Sequence, residues 1–496
     1  MNRRAWIILA ALFLTSCGPS PEMKAINDAA EALGGKERIR QIRTLTIEGD
    51  GIAPNLGQNS TPDNELPIWR VTGYRRTMEL SNGRMRMKQV REALFPFAGA
   101  PFQRFDLGVD GDIGYNVSEI GRSVRTPESE VTNRRIDMLH HPITLLHAAL
   151  DPAARIGNLR SMNDYDAIDV TTANGDVFAL EIDRTTKIPL RIRSMSYNPN
   201  LGDVAIETSL SDYETVSGVK MPKRLTTKID KYPQFDLRVK KNEVDGDTGD
   251  LAAPAQVRSM KIPAAAAVAI TAEEVGKGIW WLAGPGNYRS TLFQFADHLV
   301  LFEAPINEEW TRAVIDKAKS LRPAKPLTHV IMSHHHFDHS GGLRAAVAEG
   351  LTVITYSGNV ELFKELVARK HSIVQDALAK NPKPLKIEPV EDELTLKDGS
   401  MEVRLYHVKN NPREGTNLFA YVPRDRILVQ ADLYDSGWLL HPWGDNLAFN
   451  VGLRKLQVEK SVPVHGRIQT YSEVLKTITA KKPPANSART NSGTVR

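Results

Sequence analysis

Residues 334–339 constrain the possible fold of this chain more than any other segment does. They read His-His-His-Phe-Asp-His, so four of the six can bind a metal in the pattern H-x-H-x-D-H. The apolar residues 327–332 before them are typical of a buried strand, and Ser340-Gly341-Gly342 and a helical pattern follow. Ligands at the end of a rigid strand, before glycines that permit a tight turn, form a preorganised metal site. The alternative, a surface His-rich tract that binds metal incidentally, rarely lies between a strand and a helix.

The chain has 496 residues, which is too long for one hydrophobic core, so two or more domains are expected. Its 41% hydrophobic and 25% charged residues are ordinary for a globular protein. The net charge of +5 depends on six basic residues near the ends, namely Arg3, Arg4, Lys481, Lys482, Arg489 and Arg496. Without them the body is near −1, so the pI of about 9.0 does not indicate nucleic-acid binding.

Residues 1–16 are typical of a signal peptide, because Arg3-Arg4 precede an apolar run too short to span a bilayer. Leu14-Thr15-Ser16-Cys17 resembles a bacterial lipobox, in which cleavage precedes a lipidated cysteine. Gly18 after that cysteine favours the outer membrane by the same resemblance. An ordinary signal peptide with a chance cysteine is the alternative. Cys17 is the only cysteine, so a disulfide framework is excluded.

The remaining chain is predicted to be α/β and divides by its patterning. Residues 17–43 are a tether and a helix, and residues 44–245 are a β-rich domain of mainly antiparallel strands. Residues 246–268 are an Ala/Pro-rich linker, expected to be semi-rigid and without core residues. Residues 269–480 alternate strands and helices, and residues 481–496 form a tail expected to be disordered. The β-rich region weakly resembles the curved sheets of periplasmic lipoprotein-carrier domains.

The H-x-H-x-D-H pattern after a strand resembles the signature of the metallo-β-lactamase-fold hydrolases. The resemblance covers residues 269–480 and implies an αββα sandwich. The family adds an Asp at the end of a hairpin's second strand, which matches Asp432 after the apolar residues 427–431. It also adds a late His after a further strand, which matches His465 in Val462-Pro463-Val464-His465-Gly466. Alone, these two residues would be taken as a solvated acid and a core histidine.

One position departs from the family pattern, because the expected third His of the first zinc site falls on Arg413. Arginine has no acceptor lone pair and stays protonated, so it cannot bind a metal. His407 is a possible substitute, although it lies six residues earlier inside the preceding strand. By resemblance, His334 and His336 then remain at the first site.

The second zinc site keeps all of its ligands by the same resemblance. These are Asp338, His339 and His465, with Asp432 bridging the two sites. We therefore expect one strongly bound Zn²⁺ at the second site and weak or no binding at the first, where a fixed positive charge repels a cation.

The expected function is zinc-dependent hydrolysis of an unknown ester, lactone, amide or related bond by metal-activated water. Asp338, His334 and His336 are the candidate catalytic residues, and Arg413 is a candidate clamp for a substrate carboxylate or phosphate. The alternative is a catalytically degenerate metal- or lipid-binding lipoprotein. The expected partners are a small-molecule substrate and the membrane through the lipid anchor, with no nucleic acid and an unknown oligomeric state.

Other polar residues receive weaker interpretations. Glu303 is expected to support the ligands or the fold rather than to react. His441-Pro442-Trp443 either lines a pocket or forms a structural turn, and His140-His141 is interpreted as structural. His335, between two ligands of an extended segment, is expected to point away from the metal.

Overall fold

A computed structural model describes residues 19–97, 100–262, 267–435, 437 and 441–480, except for the side chains of His441 and Pro442. The predicted signal peptide, Cys17 and the predicted tail lie outside the described residues. Within those ranges the strands form three sheets of thirteen, seven and six strands. None of the helices in the described part of the chain has the length and apolar character needed to cross a bilayer.

The first sheet is antiparallel and belongs to the N-terminal sheet domain, which we define as residues 19–245. Its strands are β1 Thr44–Pro54, β2 Ile68–Glu79, β3 Arg84–Ala93, β4 Phe102–Asp110, β5 Ile113–Val117, β6 Ser123–Arg125, β7 Arg155–Ser161, β8 Tyr165–Thr171, β9 Val177–Asp183, β10 Pro189–Asn198, β11 Gly202–Val216, β12 Val219–Ile229 and β13 Tyr232–Val244. Strand β1 pairs with both β2 and β13, which joins two meanders into one sheet.

Four helices pack on this sheet: α1 Pro21–Ala32, α2 Lys36–Gln41, α3 Glu128–Leu139 and α4 Pro142–Ala149. Ser20 caps α1 by accepting a hydrogen bond from the Met23 amide, and Pro21 occupies its first turn. Ile26 of α1 and Leu146 of α4 are fully buried against the sheet. The helical prediction for residues 17–43, with a break near Gly34-Gly35, agrees with α1 and α2.

The expectation that residues 246–268 contain no core residues is wrong. Helix α5 Ala255–Ser259 begins after Pro254, and Ala253 and Val257 are buried. Both pack with Tyr115 of β5 in a small hydrophobic cluster. The segment reads as a linker because it is rich in Ala and Pro, but apolar contacts dock it on the N-terminal sheet domain.

The other two sheets form the C-terminal sandwich, which we define as residues 269–480. The seven-stranded sheet contains β14 Thr271–Gly276, β15 Ile279–Ala283, β16 Arg289–Gln294, β17 Leu299–Phe302, β18 Leu327–Ile331, β19 Thr352–Tyr356 and β20 Lys386–Val390. The six-stranded sheet contains β21 Glu393–Lys397, β22 Glu402–His407, β23 Leu418–Val422, β24 Ile427–Gln430, β25 Lys460–Pro463 and β26 Gln469–Thr470. Its helices are α6 Glu308–Leu321, α7 Phe337–Ser340, α8 Leu343–Glu349, α9 Val360–Ala368, α10 Ala377–Lys380, α11 His441–Leu453 and α12 Tyr471–Ala480, with a 3-10 turn at Ser357–Asn359.

The two sheets of the sandwich share a core in which Phe302 and Ile331 of one sheet meet Leu405 and Val429 of the other. Helices α6, α8 and α9 pack on the outer face of the larger sheet, and α11 and α12 pack on the smaller one. The resulting order of layers is αββα. This architecture, preceded by a mainly antiparallel β domain, confirms the predicted fold class.

Candidate metal centre

The H-x-H-x-D-H segment leaves the end of β18 and enters the short helix α7. His334, His336 and His339 are fully buried, while the Asp338 side chain is 30% exposed. The His339 and Ser340 amides both donate to the His336 carbonyl, which turns the chain sharply after the second ligand. The extended part and the turn therefore present their side chains to two neighbouring positions.

The structure brings all six predicted ligands together in two groups. His334, His336 and Asp432 form one group, and the other contains Asp338, His339 and His465. Within each group the candidate ligand atoms lie within 4.8 Å of one another. These distances allow one cation to be held by imidazole nitrogens and carboxylate oxygens, the donors that zinc prefers.

Asp432 lies between the two groups and directs one oxygen at each. It follows β24 at a positive φ of 62°, which turns its side chain out of the strand. Its Oδ1 lies 3.1 Å from Nε2 of His339 and 3.1 Å from Nε2 of His465. Its Oδ2 lies 3.9 Å from Nε2 of His334. The carboxylate therefore lies between the two groups, where the family resemblance implies a bridging ligand.

Arg413 occupies the side of Asp432 that faces the first group. Its Nη2 lies 2.9 Å from Asp432 Oδ2, the same oxygen that faces His334. Its guanidinium carbon lies 4.8 Å from the centroid of the Trp443 ring, which holds the group by cation–π contact. A fixed cation is thus paired with the oxygen that a metal in the first group would need.

His407 does not join either ligand group. Its Nε2 donates to the Gly415 carbonyl at 2.9 Å, and its ring stacks on Tyr356 with centroids 3.8 Å apart. Both groups of ligands in the described part of the chain lack this residue. The alternative third ligand of the sequence analysis is wrong, because β22 carries His407 into a structural stack.

Hydrogen bonds to the second ring nitrogens set the orientation of the ligand histidines. Glu303 accepts from His339 Nδ1 at 2.8 Å and from the Ser333 amide at 2.8 Å. The Asn287 carbonyl accepts from His465 Nδ1 at 2.6 Å. Such partners fix the tautomer and leave the other nitrogen as a lone-pair donor. Glu303 is fully buried and has the supporting position that was expected of it.

Charge and burial together set the protonation of the centre. Burial raises the pKa of Asp432, but the positive charges of Arg413 and His339 hold that pKa well below its usual range. Burial lowers the pKa of His339, but Asp432 and the other nearby carboxylates raise it well above the usual value. Burial and neighbouring positive charges keep the pKa of His334 and His336 well below the usual value. Asp432 is thus ionised and His334 and His336 are neutral, which are the forms that bind metal, whereas His339 must lose a proton when a metal binds.

The sequence analysis missed a loop of the N-terminal sheet domain, residues 55–67 between β1 and β2. Gln58 donates to Asp338 Oδ1 at 2.7 Å and accepts from Arg413 Nη2 at 3.2 Å. The Asn59 carbonyl accepts from Nε2 of His336 at 3.0 Å. The loop is rich in Gly, Pro and Asn, which indicates a long connection between two strands. Its composition did not predict a contact with Asp338, 280 residues later in the chain.

A cavity of about 490 Å³ opens beside the centre and is lined from both domains. Asp338, Asp432 and His465 line it from the ligand groups, and Tyr288 donates to Asp338 Oδ2 at 3.0 Å. A larger cavity of about 1040 Å³ is lined by other residues of the same loop, such as Pro62 and Leu66, and by none of the six ligands. The smaller cavity is therefore the one relevant to chemistry at the centre.

The remaining sequence candidates lie elsewhere. His335 directs its nitrogens at Thr416 Oγ1, at 2.8 Å, and at the Asn59 carbonyl, at 2.9 Å, so it points away from the ligand groups. His140 is buried in the N-terminal sheet domain between two hydroxyl groups, of Thr208 at 3.0 Å and Ser194 at 2.8 Å. His141 beside it is fully buried.

Comparisons with known proteins agree with the C-terminal fold. The Metallo-beta-lactamase superfamily profile matches residues 283–433. A linear primary-alkylsulfatase from Pseudomonas sp. is 29% identical over 106 residues, 21% of this chain and 15% of that protein. An (R)-specific secondary-alkylsulfatase from Pseudomonas sp. is 29% identical over 106 residues, 21% of this chain and 16% of that protein. The match thus spans about a sixth of the length of these curated relatives.

Solved metallo-β-lactamases also resemble the chain. The metallo-β-lactamase from Pontibacter korlensis has 17% identity and a TM-score of 0.33, over 42% of this chain and 97% of that one. The metallo-β-lactamase from Hirschia baltica has 16% identity and a TM-score of 0.33, over 44% of this chain and 99% of that one. From the family profile and the αββα sandwich we conclude that the C-terminal region of this chain is a metallo-beta-lactamase superfamily domain.

Proposed function

We propose that the protein is a zinc-dependent hydrolase with one strongly held zinc ion. The observation that carries the proposal is the set of six ligands, five of them buried, beside an open cavity. Asp338, His339, His465 and Asp432 fit zinc, because imidazole and carboxylate are its usual donors apart from thiolate. When bound, the ion supplies water activated for attack near neutral pH.

Residues of the chain then orient the substrate and move the proton. Asp338 is the most exposed of the ligands and faces the cavity, where Tyr288 and Gln58 fix its carboxylate. We assign the proton acceptor to His336 Nδ1, because His336 Nε2 donates to the Asn59 carbonyl at 3.0 Å and so leaves the lone pair on Nδ1. His334 lies beside it, with Nε2 3.0 Å from that nitrogen, and supports the same transfer.

Arg413 is assigned to the oxyanion of the substrate. Its planar group has five donors, and contacts to Asp432 and Gln58 involve Nη2, which leaves donors for a carboxylate, phosphate or sulfate. The substrate class is an ester, lactone, amide or related bond. Sulfate esters are added to it because the alkylsulfatase relatives share a 106-residue segment with this chain.

The test is a hydrolase panel on the full chain, loaded with zinc. It contains carboxylic esters, lactones, β-lactams, thioesters, phosphodiesters and alkyl sulfates, each assayed with wild type and Asp338→Ala. We expect one class to be hydrolysed, activity to be lost in Asp338→Ala, and zinc to restore activity after chelation. Activity that survives both Asp338→Ala and chelation would contradict the proposal.

A catalytically degenerate binding protein is the second candidate, and the ion pair of Arg413 with the buried Asp432 favours it. In that case no member of the panel is hydrolysed, even by Arg413→His. We also propose that the protein is exported and anchored in the cell envelope through a lipid on Cys17, with a small molecule as its substrate. Mass spectrometry of the mature N-terminus tests this, and an unmodified Cys17 in protein from membranes would contradict it.

A further inference from the structure

The N-terminal sheet domain supplies part of the wall of the cavity beside the metal centre. Leu56 and Gln58 of the β1–β2 loop line it, together with Trp69 of β2, Arg91 of β3 and Phe97. The domain is therefore placed to contact the part of a substrate that does not react.

The loop is held in that position by backbone hydrogen bonds to the sandwich. The Phe337 amide donates to the Gly57 carbonyl at 3.2 Å, and the Gly415 amide donates to the Ser60 carbonyl at 2.7 Å. Gly57 has a φ of +73°, and an added Cβ there would lie 2.3 Å from the Phe337 ring. The loop thus reaches the centre only with a glycine at this position.

Arg91 gives this wall a cation that the fold does not neutralise. Its guanidinium carbon lies 4.3 Å from the centroid of the Trp69 ring and 4.8 Å from that of Phe105. Its Nε donates to the neutral Gln103 side chain at 2.8 Å. In the described ranges of the chain no carboxylate lies within 4.0 Å of Arg91. A half-buried charge without a counter-ion is costly unless a ligand supplies one.

The surroundings of Arg91 are aromatic. Trp69 is fully buried and meets Phe97 with ring centroids 4.9 Å apart, and Leu56 lies on the same cavity. Apolar walls with a few placed polar groups are typical of sites that bind small molecules. The wall therefore combines a surface for a hydrocarbon group with one fixed positive charge.

We propose that this wall binds an amphiphilic oxyanion, with Arg91 holding a charged group that does not react and Phe97 and Leu56 contacting its apolar part. Arg91, a residue of the N-terminal sheet domain, would then be a determinant of specificity for the C-terminal centre. The assignment of this ligand as the substrate rests on the proposed function, but its binding does not.

The test uses a probe that cannot be hydrolysed, octanesulfonate, and the uncharged octanol as its matched partner. Titration calorimetry on the full chain should give tighter binding of octanesulfonate than of octanol, weakened by added salt. Arg91→Gln should weaken octanesulfonate binding about 10- to 100-fold and leave octanol binding unchanged. Arg91→Met serves the same purpose if Arg91→Gln does not fold, as judged by circular dichroism.

Arg70→Gln is the control, because Arg70 on the neighbouring strand is 54% exposed and already paired with Glu92. It should bind both probes as wild type does. Equal octanesulfonate affinity in wild type and Arg91→Gln, or octanol binding as tight as octanesulfonate binding, would overturn the proposal. Arg91-dependent binding by a protein that hydrolyses nothing would reject the proposed function and keep this one. A protein whose hydrolysis requires Asp338 but that does not bind octanesulfonate would keep the proposed function and reject the proposal for Arg91.

Discussion

Replacing Arg413 by His tests whether one residue limits the centre to a single zinc ion. The variant removes the cation from Asp432 Oδ2 and offers a third imidazole beside His334 and His336. We expect the wild-type chain to bind one zinc ion tightly and Arg413→His to bind two.

The expected size of the effect follows from the contact distance. Arg413 Nη2 lies 2.9 Å from Asp432 Oδ2, so an ion bound to that oxygen would lie within about 5 Å of the nitrogen. A double and a single positive charge at this separation repel by roughly 7 kcal/mol at an effective dielectric constant of about 20. That corresponds to roughly 100,000-fold in the affinity of the first group for zinc.

The assay is zinc content after dialysis, by elemental analysis, together with a calorimetric zinc titration. Arg413→Gln is the matched control, because it removes the charge without adding a ligand. We expect it to take up a second ion more weakly than Arg413→His. Two tightly bound zinc ions in the wild-type chain would refute this reasoning. So would a folded Arg413→His protein that holds only one.

Three further predictions concern the groups around the centre and the N-terminal sheet domain. Glu303→Gln should lower zinc affinity about 10- to 100-fold, measured by competition with a chelator, because the ligand histidine loses its charged partner. Gly57→Ala should lower hydrolysis about tenfold or more at unchanged zinc content, because its Cβ displaces the loop from Phe337; Gly111→Ala, at a φ of +59° in open space, should not. Burial lowers the pKa of His141 to about 3, so the unfolded chain gains a proton below about pH 6.5 that the native state does not bind. Stability from this group is thus complete above pH 6.5, and about 3 kcal/mol of it is lost by pH 4.5. Urea unfolding above pH 6.5 and at pH 4.5 gives the free energy of unfolding at each pH. We expect His141→Leu to lose less of it between the two than wild type does, and equal losses would contradict the assignment.

Local patterns allowed much of the fold to be predicted from the sequence. Helices α8 and α9 and the hairpin of β16 and β17 follow from apolar periodicity over ten or so residues. The packing of residues 246–268 could not be predicted from such local patterns. Its composition is that of a linker, and the burial of Val257 depends on Tyr115 of a distant strand.

For the metal centre, the sequence by itself determined the ligand-bearing segment, since four candidate ligands lie within six residues and their directions follow from a strand and a turn. The family resemblance also placed Arg413 at the position of the third ligand of the first site. Only the tertiary structure decided which oxygen of Asp432 the guanidinium takes. It alone brought Gln58 and Arg91 to the cavity. The physical reason is the range of the interactions: backbone periodicity is local, whereas a contact across 280 residues depends on how two domains pack.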